Sequence, residues 1–371
     1  MNTLEQHSLL DKRELEFLSK EAIALLKQLI GVSSFSKEEN KTANLIEIFL
    51  HSKGISSHRK LNNVWAFSRS FNSSKPTILL NSHHDTVKPN AGYTLNPFEA
   101  IEKDGKLFGL GSNDAGASLV SLLVVFIYFY EKEGAYNFIF AASAEEEISG
   151  VNGIELILPE LGKIDVAIVG EPTQMNLAIA EKGLMVLDCK SVGVAGHAAR
   201  EEGVNAIYKS LRSIDWFKSF QFPKSSKTLG PVKMSVTAIH AGAQHNVVPD
   251  VCEFVVDVRT TDVYSNEEVL KIIKEHVDCE VIPRSMRLNS SSISTEHSLV
   301  KAGIKLGRKT YGSPTSSDQA LMNFPSLKMG PGDSARSHTA DEFIYVEEIK
   351  EGIELYVEIL NRSLGYARDD K

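Results

Sequence analysis

Asn137-Phe138-Ile139-Phe140-Ala141-Ala142-Ser143-Ala144-Glu145-Glu146-Glu147-Ile148-Ser149-Gly150 joins an apolar run to three consecutive carboxylates. Adjacent carboxylates repel one another and prefer water, so three of them straight after a buried strand call for something cationic to face. The plainer reading is an acidic first turn of a helix, favoured by the macrodipole. Two other apolar runs end in the same way. Thr77-Ile78-Leu79-Leu80 leads into Asn81-Ser82-His83-His84-Asp85, and Ala167-Ile168-Val169-Gly170 leads into Glu171-Pro172-Thr173. In an open α/β sheet, ligands bind beyond the carboxyl ends of the strands. Asp114 lies in the glycine-rich turn Gly109-Leu110-Gly111-Ser112-Asn113-Asp114-Ala115-Gly116, and His338 in Ser337-His338-Thr339-Ala340-Asp341-Glu342. Imidazoles mixed with carboxylates, without cysteine, suit zinc, cobalt or manganese rather than calcium.

Outward from these runs, the pattern alternates strands and helices. Helical periodicity covers residues 11–30 and 36–52, the second stopping at Gly54. Residues 63–67, 77–80, 137–142 and 166–169 read as strands, and 119–130 as a buried helix. This predicts an α/β domain with a parallel or mixed sheet. Between Gly183 and Arg284 the order becomes strand 184–192, helix 205–216, strands 232–240 and 251–257, helix 267–276 and strand 279–283. That β-α-β-β-α-β order is the ferredoxin-like unit. Helices return at 298–308 and 346–360. The expected organisation is a first domain, residues 1–182 and 285–371, interrupted by an inserted one, residues 183–284.

At 371 residues the chain has room for about two or three domains and an ample core. A hydrophobic content of 42% and a charged content of 24% are ordinary globular values, which sets disorder aside. The net charge of -8 argues against nucleic acid or an anionic membrane as main partner. Cys189, Cys252 and Cys279 show no paired spacing, so neither a disulfide framework nor a cysteine zinc site is expected. Met1-Asn2-Thr3-Leu4-Glu5-Gln6-His7 lacks a basic segment before an apolar core, and the apolar run 119–130 is short for a bilayer. A cytoplasmic location without membrane contact is expected.

The ordered set His83-x-Asp85, Asp114, Glu146-Glu147, Glu171-Pro172-Thr173 and His338 resembles the zinc aminoacylase and carboxypeptidase superfamily, which includes acetylornithine deacetylase and succinyl-diaminopimelate desuccinylase. The likeness runs from Leu25 to His338. It implies a mixed-sheet metallopeptidase domain holding two divalent metal ions, zinc above cobalt or manganese, with an inserted dimerisation or lid domain. It implies His83, Asp114 and Glu171 around one metal, and Asp114, Glu147 and His338 around the other, with Asp114 bridging. Asp85 matches a carboxylate that orients the ligand imidazole, and Glu146 matches the general base. Glu145 matches no role, and His84 is read as packing or a pocket wall.

In the inserted domain, Gly193-Val194-Ala195-Gly196-His197 resembles the superfamily's Gly-His motif, whose histidine serves the partner subunit's oxyanion; the alternative is a histidine satisfied within its own loop. Asn246 and Arg259 resemble substrate-binding residues, the arginine for an α-carboxylate, although a surface salt bridge on a strand would also account for Arg259. Ser316-Ser317-Asp318 follows Pro314-Thr315 where relatives carry Gly-Thr, and Ala115-Gly116-Ala117 replaces a basic residue after Asp114. The resemblance therefore implies a homodimeric hydrolase of a small N-acyl amino acid, acetylornithine or acetyl- or succinyl-citrulline in type, serving arginine biosynthesis. A dipeptidase or exopeptidase is the alternative.

Overall fold

A computed structural model describes residues 3–200 and 202–364. Met1 and Asn2, read above for a leader, and the last seven positions of the expected first domain lie outside the described residues. The chain divides into two compact units. The first comprises Met1–Ile179, Ile293–Tyr311 and Ser317–Lys371; the second comprises Ala180–Ser292 and Gly312–Ser316. The expected boundaries, 182/183 and 284/285, thus compare with 179/180 and 292/293. The short return at Gly312–Ser316 has no periodic pattern by which the sequence could announce it.

In the first unit the strands run in the order His58–Lys60, Asn63–Phe67, Asn137–Ser143, Thr77–His83, Val166–Val169 and Ser326–Lys328. Thr77–His83 is parallel to both Asn137–Ser143 and Val166–Val169, whereas Asn63–Phe67 is antiparallel to Asn137–Ser143, so the sheet is mixed. The apolar runs are continuous because both faces are covered. Successive side chains alternate in direction. Ile78, Leu80, Phe138, Phe140, Val166 and Ile168 join the core cluster with the helices Thr3–Ile30, Ala117–Phe129 and Val346–Ser363. Leu79, Ile139, Ala141, Ala167 and Val169 pack instead with Ile154, Ile157 and Leu161 of the helix Ile154–Leu161.

Ala117–Phe129 is buried along nearly its whole length, and Phe126 in its middle is fully enclosed. It continues a wide turn, Ser112–Gly116, making a helical stretch Ser112–Phe129 long and apolar enough by composition to cross a membrane. That stretch is longer than the apolar run alone suggested, but 89% of it is buried inside the protein, the place of a core helix. The second helix starts at Asn40 rather than 36, because residues 36–39 form a turn in which Glu38 N–H reaches Phe35 O. Helix Ser298–Lys305 stops short of 308, where Gly307 takes a left-handed φ of 78°.

The second unit has a four-stranded antiparallel sheet in the order Lys233–Ala241, Val251–Arg259, Met185–Val192, Glu280–Pro283. Helices Ala206–Ser219 and Asn266–His276 complete the β-α-β-β-α-β order. Met185, Leu187, Cys189, Phe254, Val256 and Val258 form its core with Phe217, Val269 and Ile273. The caps are local: Asn205 accepts Ile207 N–H, and Ser265 with Glu268 forms a capping box. One element escapes the sequence pattern, the two-residue pairing of Gly196–His197 with Val247–Val248.

Candidate metal centre

Strand register places the first-unit candidates together. His83 is level with Ser143, and Asn81 with Val169. The chain therefore leaves three neighbouring strands at His83, just before Glu145, and just before Glu171. Glu146–Ile148 forms a tight turn bracketed by left-handed Glu145 (φ 54°) and Ser149 (φ 48°). Gly150 closes that turn, since a Cβ there would collide with the Glu145 side chain.

His83 Nε2 lies 3.4 Å from Asp114 Oδ1 and 3.8 Å from Glu171 Oε1. On the other side of Asp114, Oδ2 lies 3.5 Å from His338 Nε2, which is 3.1 Å from Glu147 Oε2. Two groups of donors, His83–Asp114–Glu171 and Asp114–Glu147–His338, thus share one carboxylate. Donors held by one ion at about 2.0–2.2 Å in a tetrahedron stand about 3.4 Å apart. The spacings here fit a metal at each group, and the nitrogen and oxygen donor set suits zinc or a neighbouring divalent ion. His83 Nδ1 donates to Asp85 O at 3.0 Å, which leaves Nε2 as the nitrogen turned to the donors.

The electrostatics describe a cluster short of positive charge. Burial opposes a charge on His83, yet Asp114 and Asp85 hold it well above its usual range. Hydrogen bonding to Glu147 pushes His338 up to about 9. Burial, with Asp114 beside it, pushes Glu171 up to about 8. Glu146 rises well above the carboxylate range for the same reason, with Glu171, Asp318 and Glu147 adding repulsion. Without metal, protons are the cations this cluster collects.

Buried carboxylates hold the donor-bearing loops by their main chain. Asp85 Oδ1 accepts Glu146 N–H at 3.0 Å, and its Oδ2 accepts Glu147 N–H at 3.2 Å and the Ser36 hydroxyl at 2.6 Å. Glu39, fully buried, accepts Glu145 N–H at 3.2 Å and the Asn62 amide at 2.7 Å. Glu342 accepts the N–H groups of Gly111, Asn113 and Asp114 at 3.1, 2.8 and 2.9 Å. Sequence reading assigns nothing to Glu39 or Glu342, because a lone carboxylate far from its partners leaves no pattern. Asp318 is buried, accepts the Ser143 hydroxyl at 2.5 Å, and is pushed up to about 6 by burial. Glu145 accepts the Asn152 amide at 3.0 Å. His84 is buried with Nδ1 on Thr42 Oγ1 and Nε2 donating to Asn62 O, both at 2.9 Å, and burial lowers it to about 4.

The remaining candidates belong to the second unit. His197 is exposed, and its Nδ1 accepts Ala199 N–H at 3.1 Å, so a neutral ring carries its proton on Nε2. Across the small pairing His197 faces Val247, and the adjoining Asn246 accepts Ala198 N–H through its carbonyl at 3.0 Å. Asp257 holds Arg259 through Nε at 2.8 Å and Nη2 at 3.0 Å.

Residues 79–362 match the profile of Peptidase family M20/M25/M40. The chain belongs to that family. It is a metal-dependent amidohydrolase, and the resemblance read from the sequence is borne out at this level. The chain is 26% identical to an acetylornithine deacetylase of Proteus mirabilis, over 89% of this chain and 94% of the relative. It is 24% identical to a succinyl-diaminopimelate desuccinylase of Rickettsia bellii, over 92% and 96%. Among solved structures, it superposes with a TM-score of 0.71 on the YXEP protein of Bacillus subtilis, described as a dinuclear metal binding peptidase from the M20 family. That likeness covers 95% of this chain and all (100%) of the other at 16% identity, and so shows the fold.

Proposed function

We propose that this M20 hydrolase cleaves the amide bond of an N-acyl amino acid, releasing a carboxylic acid and the free amino acid. The observation that carries the reading is the shared carboxylate, Asp114, standing between two donor groups. His83, Asp114 and Glu171 would hold one divalent ion, and Asp114, Glu147 and His338 a second, zinc being the best match to the donors. When bound, such ions polarise the scissile carbonyl and lower the pKa of water.

The chain's own residues do the rest. Asp85 orients His83 and fixes the Glu146–Glu147 turn. Glu146, whose burial favours the protonated form, takes the proton from the attacking water and returns it to the leaving amine. In the second unit, His197 offers a donor Nε2–H for the oxyanion of a partner subunit, Asn246 binds the substrate, and Arg259 takes its α-carboxylate. The Nη1 and Nη2 end of Arg259 remains the edge for a bidentate contact, with Asp257 steadying the other.

Acetylornithine or acetyl- or succinyl-citrulline are the preferred substrates on the strength of the deacetylase and desuccinylase relatives. A role in arginine biosynthesis and a cytoplasmic location go with them. A dipeptidase is the second reading, favoured by the likeness to the Bacillus subtilis protein described as a peptidase. A homodimer is proposed through exposed Tyr208 and Leu211 and nearby Val192, Val194 and Val204. The test is turnover of acyl-ornithine, acyl-citrulline and dipeptide panels before chelation, after it, and after zinc is restored. Loss and recovery of acyl-amino-acid cleavage is expected. Full activity in metal-free protein overturns the two-metal reading, and turnover of dipeptides alone replaces the deacylase with the peptidase.

A further inference from the structure

We propose that Glu342 is a positioning residue for Asp114 and, through it, sets both metal sites at once. This rests on the reading above that Asp114 bridges two ions. The turn that carries Asp114 departs from helical backbone in its middle: Asp114 has φ -118° and ψ 100°, and Ser112 and Asn113 are fully buried. Buried N–H groups without partners are strongly destabilising. Three of them, on Gly111, Asn113 and Asp114, converge on the two oxygens of Glu342. Asp114 is thereby fixed at its own backbone nitrogen. Its two carboxylate oxygens can then be divided between His83 Nε2 at 3.4 Å and His338 Nε2 at 3.5 Å.

A second tie makes the arrangement reciprocal. Glu342 lies four residues after His338, and its carbonyl accepts Gly109 N–H at 3.0 Å. The strand that follows, Phe343–Tyr345, pairs with Lys106–Phe108, which leads into the glycine-rich turn. The segment bearing His338 and the turn bearing Asp114 are therefore held together at Glu342 and along the strand that follows it. Only a full-length carboxylate satisfies this clamp. Glutamine at this position would supply one acceptor and set an NH2 against a backbone N–H, and aspartate would fall short by a methylene.

The test compares the full-length wild type with Glu342→Gln, Glu342→Asp and Phe126→Ala. Phe126→Ala is a core truncation well separated in the helix from the turn. Each metal-free protein is titrated with zinc by calorimetry, with elemental analysis for stoichiometry and thermal melting for stability. Both Glu342 variants are expected to lose about 10–100-fold in affinity at both sites together. Phe126→Ala should melt lower with unchanged zinc affinity. Wild-type zinc affinity in Glu342→Gln, or full rescue by the shorter aspartate, overturns the positioning role while leaving the two-metal reading intact. Weakening of one site alone also overturns it. A wild type that takes up fewer than two ions removes the bridging reading, and this inference with it.

Discussion

Asp85 accepts the backbone N–H of Glu146 at 3.0 Å, so the residue that orients His83 also sets the position of the proposed proton carrier. Asparagine at position 85 would turn an NH2 against one of the two N–H groups the carboxylate now accepts. Asp85→Asn should therefore weaken metal binding by about 10–100-fold. It should lower kcat further once metal is saturating. Zinc titration followed by steady-state kinetics separates the two effects, and unchanged values in both would remove Asp85 from the site's organisation.

Glu146 lies 3.9 Å from His83 Nε2 but belongs to neither donor group. Glu146→Gln should therefore bind two equivalents of zinc like the wild type while kcat falls by about 10²–10⁴-fold, the usual worth of a positioned acid–base group. KM should change little. A variant that turns over near the wild-type rate assigns proton transfer elsewhere.

Metal uptake should be coupled to proton release. In the metal-free protein His338 is protonated below about 9 and Glu171 is neutral below about 8. A bound cation needs both in their basic forms, so each gives up a proton at pH 7. His83, also held well above its usual range, must lose a proton as well, so affinity should rise with pH. Calorimetry in buffers of different ionisation enthalpy reads the number of protons directly; no release at pH 7 would contradict the charge state described.

His197 carries its neutral-ring proton on Nε2, the correct form for donating to an oxyanion. His197→Ala should lower kcat with little change in KM, because the bond forms in the transition state. Equal kcat in variant and wild type returns the residue to a loop-satisfying role through Ala199.

Tyr208 is 71% exposed and Leu211 52%, three residues apart on one helix. With Val192, Val194 and Val204, this pair makes up the face through which the homodimer is proposed. The double substitution Tyr208→Glu with Leu211→Glu should shift sedimentation from dimer to monomer and leave zinc content unaltered. A dimer persisting in that variant places the interface elsewhere.

The sheet of the first unit was legible because its strands are enclosed on both faces, so Thr77–His83 and Asn137–Ser143 stand out as unbroken apolar runs with polar ends. His83, Glu147 and Glu171 were legible for the same reason: each follows such a run. Asp114 and His338 follow no such apolar run: a glycine-rich turn and a polar loop made them candidates, and the superfamily resemblance gave them their ligand roles. Short strands such as Ser326–Lys328 and Phe343–Tyr345 were missed, since three residues cannot display a period. Glu39 and Glu342 were invisible as participants because each grips main chain, and a backbone N–H has no letter in the sequence. Asp257 shows the reverse: it stands two residues from Arg259, where the ion pair between them could have been anticipated.

A carboxylate that grips main chain protects a location, whatever amino acid occupies it. Gly111 has no side chain, and those of Asn113 and Glu145 take no part in the bonds their N–H groups make to Glu342 and Glu39. Drift at the gripped positions can therefore go unpunished as far as those bonds are concerned, while replacing a gripping glutamate removes the bonds themselves. In a distant homologue too diverged for its loops to be aligned, the surviving fingerprint of this site would be its anchors as much as its ligands.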